Sequence, residues 1–161
     1  MKKIVAVMGP GKDATEEDIQ IAEEIGELIA RQGWVTLTGG VNAGVMHAAC
    51  VGAKRADGET IGILPHVDSD VSDKLDIAIR TDIGSARNTI NVLSSDVLLA
   101  VGISPGTSSE LSFALQGWAN KHVVLLNCGN LSYEYFSSLR KDLVYAVGNT
   151  EEAISKIKDL I

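Results

Sequence analysis

Aromatic residues make up only 4% of this 161-residue chain, and it holds two cysteines and three prolines. Cys50 and Cys128 stand far apart with no CxxC and no Cys/His spacing, which excludes a disulfide scaffold and an encoded zinc site. Both thiols are expected to pack as small buried hydrophobes. His47, His66 and His122 are scattered, so no protein metal site is expected. No apolar run is long enough to cross a bilayer, and the start Met1-Lys2-Lys3-Ile4-Val5-Ala6-Val7 reaches Gly9 and Pro10 before a signal-type core can form. A cytoplasmic protein without a membrane partner is expected. No Pro-, Ser- or Gln-rich tract divides the chain, so residues 1–161 are expected to form one domain. Positive charge is scarce: 14 Lys and Arg against 21 Asp and Glu leave a formal charge of −7. That argues against nucleic acid, whose binding rests on a basic surface. Any anionic ligand must be gripped locally.

Short, nearly continuous apolar runs alternate with helical patterns. Lys3–Val7, Trp34–Thr38, Thr60–Leu64, Asp96–Val101, Val123–Leu126 and Leu143–Ala146 read as buried strands, with Ile77–Ile79 a shorter one. Between the first two, a helix opens near Thr15 with Glu16, Glu17 and Asp18 in its first turn, where acids suit the dipole. It carries Ile21, Ile25, Leu28 and Ile29 on one face and stops at Gly33. Ala48, Ala49, Gly52 and Ala53 predict a second helix lying close against a sheet. Pro65–Asp76 is acid-rich and reads as a loop. Gly84–Leu93, a segment with Leu111, Ala114, Leu115 and Trp118 in helical spacing, and Tyr133–Leu139 follow as helices. The tail is amphipathic: Ile154, Ile157 and Ile161 share a face, with Asn149 or Thr150 as cap. Trp34 and Trp118 are assigned to packing, against the sheet or against subunit neighbours. Apolar strands alternating with helices require a sheet covered on both faces, so the expected fold is α/β, a Rossmann-like three-layer αβα sandwich with a mostly parallel sheet.

In such a sheet ligands bind beyond the carboxyl ends of the strands. Three glycine-bearing turns fall there: Gly9-Pro10-Gly11; Gly39-Gly40-Val41-Asn42-Ala43-Gly44 running into Val45 and Met46; and Gly102 to Gly106. Glycines let backbone amides approach an oxyanion, and the helix that follows each turn adds unpaired donors. The first turn lacks GxGxxG and no turn carries GxxxxGK[ST], so neither NAD nor ATP is expected. Thr107-Ser108-Ser109-Glu110 has two readings. It is a capping box in which Thr107 caps and Glu110 reaches back, or a cleft wall in which Thr107 and Ser108 donate to an anion and Glu110 does acid/base work. Ser104 can add a hydroxyl. Arg87, with Asn88 beside it, is placed to clamp an oxyanion bidentately. Lys12 lies next to Gly11 and reads as solvated.

Gly39-Gly40-Val41-Asn42-Ala43-Gly44-Val45-Met46 resembles the GGGxxGLMG turn of the superfamily that contains the Lonely Guy cytokinin-activating phosphoribohydrolases and proteins labelled possible lysine decarboxylases. Gly106-Thr107-Ser108-Ser109-Glu110 resembles the GTxxE end of its PGGxGTxxE motif, and Arg87 falls at the family's motif arginine. The hydrolases' Gly pair is replaced here by Gly102-Ile103-Ser104-Pro105, and Asn88 stands where they commonly have lysine. No lysine resembles a pyridoxal-phosphate site. The short length, the Arg-Asn pair and the opening Val7-Met8-Gly9-Pro10-Gly11 look more like the branch of molybdenum cofactor carrier proteins.

That resemblance implies a phosphate-bearing pterin, molybdopterin with its metal, as bound cargo. Gly9, Pro10, Gly11, Gly39, Gly40, Asn42, Gly44, Val45, Met46, Arg87, Asn88, Ser104, Gly106, Thr107, Ser108 and Glu110 would then form the binding residues. The metal would stay on the pterin's sulfurs, and no catalytic residue is implied. Molybdoenzymes become the recipients. The hydrolase branch implies instead cleavage of a nucleoside 5′-monophosphate by Glu110 and Arg87, and a third reading is a nucleotide sensor without catalysis. The superfamily also implies a homodimer or homotetramer, with Leu111, Leu115, Trp118 and the Arg87 helix as contact candidates.

Overall fold

A computed structural model describing Met1 to Ile161 places the apolar runs in seven strands: β1 (Ile4–Met8), β2 (Val35–Thr38), β3 (Thr60–Leu64), β4 (Ile77–Arg80), β5 (Val97–Val101), β6 (His122–Leu126) and β7 (Val144–Val147). The helices are α1 (Glu16–Arg31), α2 (Gly44–Arg55), α3 (Asn88–Ser94), α4 (Pro105–Ala114), α5 (Asn130–Leu139) and α6 (Thr150–Leu160). The sheet order is β4-β3-β2-β1-β5-β6-β7. Every neighbouring pair is parallel, so the fold is α/β and Rossmann-like with no antiparallel member.

Side chains alternate across a strand, and that builds the three layers. Val5 and Val7 of β1, with Val97, Leu99 and Val101 of β5, join Ile25, Ile29, Val45, Ile154 and Ile157 of α1, α2 and α6 in one core. Ala6, Met8, Leu98 and Ala100 point the other way, into a second core with Val92, Leu111, Ala114 and Phe136 of α3, α4 and α5. Chain connections move outward from β1 in one direction and from β5 in the other. The switch in strand order therefore falls between β1 and β5, and their carboxyl ends open a crevice there.

Local chemistry sets the helix ends. Thr15 accepts from the Asp18 amide while the Asp18 carboxylate accepts from the Thr15 amide, a reciprocal box that starts α1. Asn149 caps α6 through the Glu152 amide. Gly33 ends α1 with φ of +72°, its N–H bonded to the Ala30 carbonyl and that of Trp34 to the Ile29 carbonyl. Nothing lies within 4 Å of a Cβ built on Gly33, so only the left-handed backbone opposes a side chain. Gly33→Ala is therefore expected to lower stability by about 1 kcal/mol in urea unfolding. A loss several times larger would reveal a packing role that the structure does not contain.

Three expectations need correction. α4 begins at Pro105 with Ser104 as its cap, so Thr107 is no cap and Glu110 lies inside the helix; proline at the first helical position is the signal that sets this start. The segment Gly84–Leu93 is not one helix but a 3-10 turn, Gly84–Arg87, leading into α3. Leu111 and Leu115 are spent on the monomer's own core and are closed to a subunit contact, whereas Trp118 lies past the end of α4, 55% exposed, so of its two expected packing partners, sheet or subunit, the sheet is not one. The small residues of α2 also serve a neighbour beyond the sheet. A Cβ on Gly52 would lie 1.7 Å from the Glu23 carbonyl oxygen, and one on Gly26 2.0 Å from that of Ala49, so α1 and α2 touch backbone to backbone.

Candidate anion-binding cleft

At the switch point a cleft of about 160 Å³ is lined by Met8, Gly9 and Gly11 from the first turn, Gly39 and Met46 from the second, Arg87 and Asn88, and Ser104, Gly106, Thr107 and Glu110 from the third. Segments far apart in the chain meet because β1, β2 and β5 are adjacent and end at one rim. The first turn of α4 faces this space. Ser104 Oγ accepts from the Thr107 amide at 3.2 Å and lies 2.9 Å from Thr107 Oγ1, while the Ser108 amide bonds the Ser104 carbonyl. Pro105 has no N–H, so the Gly106 amide remains as an orphan donor of that turn.

Arg87 is the cation of the cleft. Its guanidinium rests on Gly39, where a Cβ would come within 2.6 Å of Nη2, so any side chain at position 39 displaces it. One long contact, Nη1 to Glu110 Oε1 at 3.4 Å, is its single ion pair, and the buried Nε has no partner. Glu110 is nearly fully buried, and its Oε1 also accepts from Asn91 Nδ2 at 2.7 Å. Burial pushes the Glu110 carboxyl up to about 7, against the opposing pull of the Asn91 amide and the Arg87 charge. Burial likewise lowers the Arg87 pKa, offset by Glu110. Asn88 Nδ2 donates to Ser109 Oγ at 2.7 Å, and Ser109 Oγ donates to the Gly106 carbonyl, which pins the arginine turn to α4.

The remaining candidates sit around the cleft rather than in it. The Gly40 amide is taken by Thr38 Oγ1, and the Asn42 amide by the Asp70 carbonyl. The loop 65–76 folds over the second turn, with the Ser72 amide on the Gly40 carbonyl and Val41 bridged to Val71. Gly44 abuts the carbonyls of Pro10 and Gly11, and the Val45 amide bonds the Pro10 carbonyl, so the second turn is locked onto the first. Ser108 faces a separate shallow cleft with Ile103 and Tyr135. Lys12 is exposed, and His47 Nδ1 is 2.9 Å from Ser72 Oγ. Nowhere do three or more His, Cys, Asp or Glu side chains gather as a metal site needs. Both cysteines are free and buried, with burial pushing Cys50 up to about 11 and Cys128 to about 12.

Sequence reasoning missed Asn91. It is wholly buried, and its Oδ1 has no partner. The available signal was its place four residues after Arg87, between Ile90 and Val92, where a polar residue on a sheet-covering helix must find a buried partner. Met8, whose sulfur lies 3.7 Å from Asn91 Nδ2, was missed because it ends an apolar strand.

Fold and cleft define a Rossmann-like domain with a phosphate-sized, arginine-bearing cavity at its switch point. The chain belongs to the SLOG cluster4 family, whose model matches residues 2–154. The molybdenum cofactor binding protein from the phototrophic bacterium Rippkaea orientalis is 51% identical, with a TM-score of 0.95 over 99% of this chain and 97% of that one. The molybdenum cofactor carrier protein of Chlamydomonas reinhardtii is 48% identical, with a TM-score of 0.94 over 99% and 98%. A cytokinin riboside 5′-monophosphate phosphoribohydrolase of Mycobacterium tuberculosis is 31% identical over 110 residues, 66% of this chain and 59% of that protein. These agree with the superfamily read from the glycine-rich and GTxxE motifs. No helix is long and apolar enough to cross a membrane.

Proposed function

We propose that this chain binds molybdenum cofactor and carries it, without turnover, to molybdoenzymes. The observation that carries the reading is full-length likeness, at about half identity, to two proteins whose names state that cargo, in a chain whose cleft holds a partly buried arginine with a spare Nε donor. The cleft suits one oxyanion, so the cargo's phosphate enters it. Arg87, the Gly106 amide and the hydroxyls of Ser104 and Thr107 hold it, while the pterin lies across the open rim. Gly9, Gly11, Gly39 and Met46 shape the walls. Gly40, Asn42, Gly44 and Val45 hold the turns in register, and the metal stays on the cargo's own sulfurs. Copies of the chain form a homodimer or homotetramer, and the exposed Leu93 and Trp118 are among the apolar side chains that remain for contact near α3 and α4.

The test is to incubate the protein with molybdenum cofactor, remove free ligand and assay retained pterin and molybdenum, while AMP and CMP are offered in parallel. Retention of both without base release is expected. Base release without retention would instead establish the hydrolase reading, which the Mycobacterium relative and a Glu110 carboxyl poised near neutrality favour. Within the site, Ser104→Ala and Thr107→Ala should each weaken retention by about two- to tenfold, one hydrogen bond apiece. Ser108→Ala, facing the other cleft, should leave retention unchanged. Equal losses at all three positions would move the cargo onto the Ser108 side.

A further inference from the structure

Glu110 and Arg87 are the two charged side chains lining the cleft, and together they make it neutral. An anion entering beside Arg87 meets a carboxylate that already holds the guanidinium, at the long distance of 3.4 Å. Asn91 Oδ1, buried beside that carboxylate, accepts from nothing. A buried acceptor without a donor is costly, and the missing donor is what a protonated carboxyl supplies.

We propose that anion binding in this cleft is coupled to uptake of one proton by Glu110, so that the site loads in the Glu110-neutral state and releases as Glu110 ionises. The coupling rests on reading the cleft as the phosphate site of the cargo. The proton comes from solvent and binds a Glu110 carboxylate oxygen. Arg87 is freed to turn all its donors, including the idle Nε, to the anion, and a half-turn of the Asn91 amide brings Oδ1 to accept the new O–H. Arg87, from the 3-10 turn, is the charged group facing Glu110. α3 presents the neutral amide of Asn91, β1 the thioether of Met8, the second turn Gly39 and Met46, and α4 itself Thr107. Burial already holds the carboxyl near neutrality in the empty cleft, and the anion's charge beside it raises it far enough that the loaded site keeps its proton across the physiological range.

Sulfate is the probe, because it stays a dianion from pH 6 to pH 8. Titrated by amide NMR at Gly106, it should bind about tenfold more weakly at pH 8 than at pH 6, the limit for one linked proton with a site near 7. Glu110→Gln should bind tightly and flatly across that range. Calorimetry of the unaltered chain at pH 8, in buffers of different ionisation heat, should show uptake approaching one proton per sulfate. Flat affinity in the unaltered chain overturns the coupling, as does a slope that survives Glu110→Gln. Failure to retain molybdenum cofactor with the sulfate slope intact would sink the proposed cargo and leave the coupling standing. Retention with a flat sulfate curve does the reverse.

Discussion

Gly52→Val is expected to destabilise the fold by at least about 3 kcal/mol, an overpacking cost at the top of the usual range, and to lower Tm by about 6–12 °C. A Cβ at this position would sit 1.7 Å from the Glu23 carbonyl oxygen, and that obstacle is helix backbone rather than a side chain with other rotamers. Relief requires α1 and α2 to separate. Ile25, Ile29, Val45, Ala48 and Ala49 all belong to the core those helices share over β1 and β5, so separation opens that core along its length. Gly26→Val should behave alike, because its Cβ would meet the Ala49 carbonyl oxygen from the opposite side. Thermal unfolding followed by circular dichroism reads both. A Tm within a degree or two of the parent would mean that the helices tolerate wider spacing, and that the glycines have no packing role.

The fold was legible because two periodicities suffice for it. Strand interiors buried on both faces leave unbroken apolar runs, and helices between them leave stripes at i, i+3 and i+4. The strand runs read from the sequence lie within a residue or two of β1 to β7. The site was legible to the extent that it is made of turns, since glycine after a strand marks where backbone can approach a ligand. Gly9, Gly11, Gly39 and Gly106 do converge. What stayed hidden depends on contacts between distant segments. Nothing near Asn42 announces that Asp70 takes its amide, and nothing near Glu110 announces that Asn91, nineteen residues earlier, holds its carboxylate. The capping-box reading failed for a different reason. Two local patterns compete over Ser104 to Glu110, and proline at the first helical position, which removes a donor the helix would leave unpaired, decides for the earlier start.

Arg87→Ala is expected to lower retention of molybdenum cofactor on the order of a hundredfold, the sum of about two charge-assisted hydrogen bonds lost in a buried site. The measurement belongs at pH 6. Removing the guanidinium takes away the charge that opposes burial at Glu110, so its carboxyl rises further above about 7 and stays protonated there, leaving no unpaired charge to unfold the cleft. At pH 8 the same variant must either ionise Glu110 without a partner or hold a proton against solvent, and its stability should fall relative to pH 6. The sign follows from linkage: a carboxyl whose folded pKa lies above its usual 4.5 stabilises below that value and loses the contribution as pH climbs through the folded one. Arg87→Lys separates charge from shape. A lysine keeps the positive charge but not the planar fork that spreads donors over Gly39, so retention should be intermediate and much nearer to alanine if bidentate contact dominates. Full retention by Arg87→Ala at pH 6, with the fold intact, would place the cargo elsewhere and leave the cleft a structural junction between β1, β5 and α4.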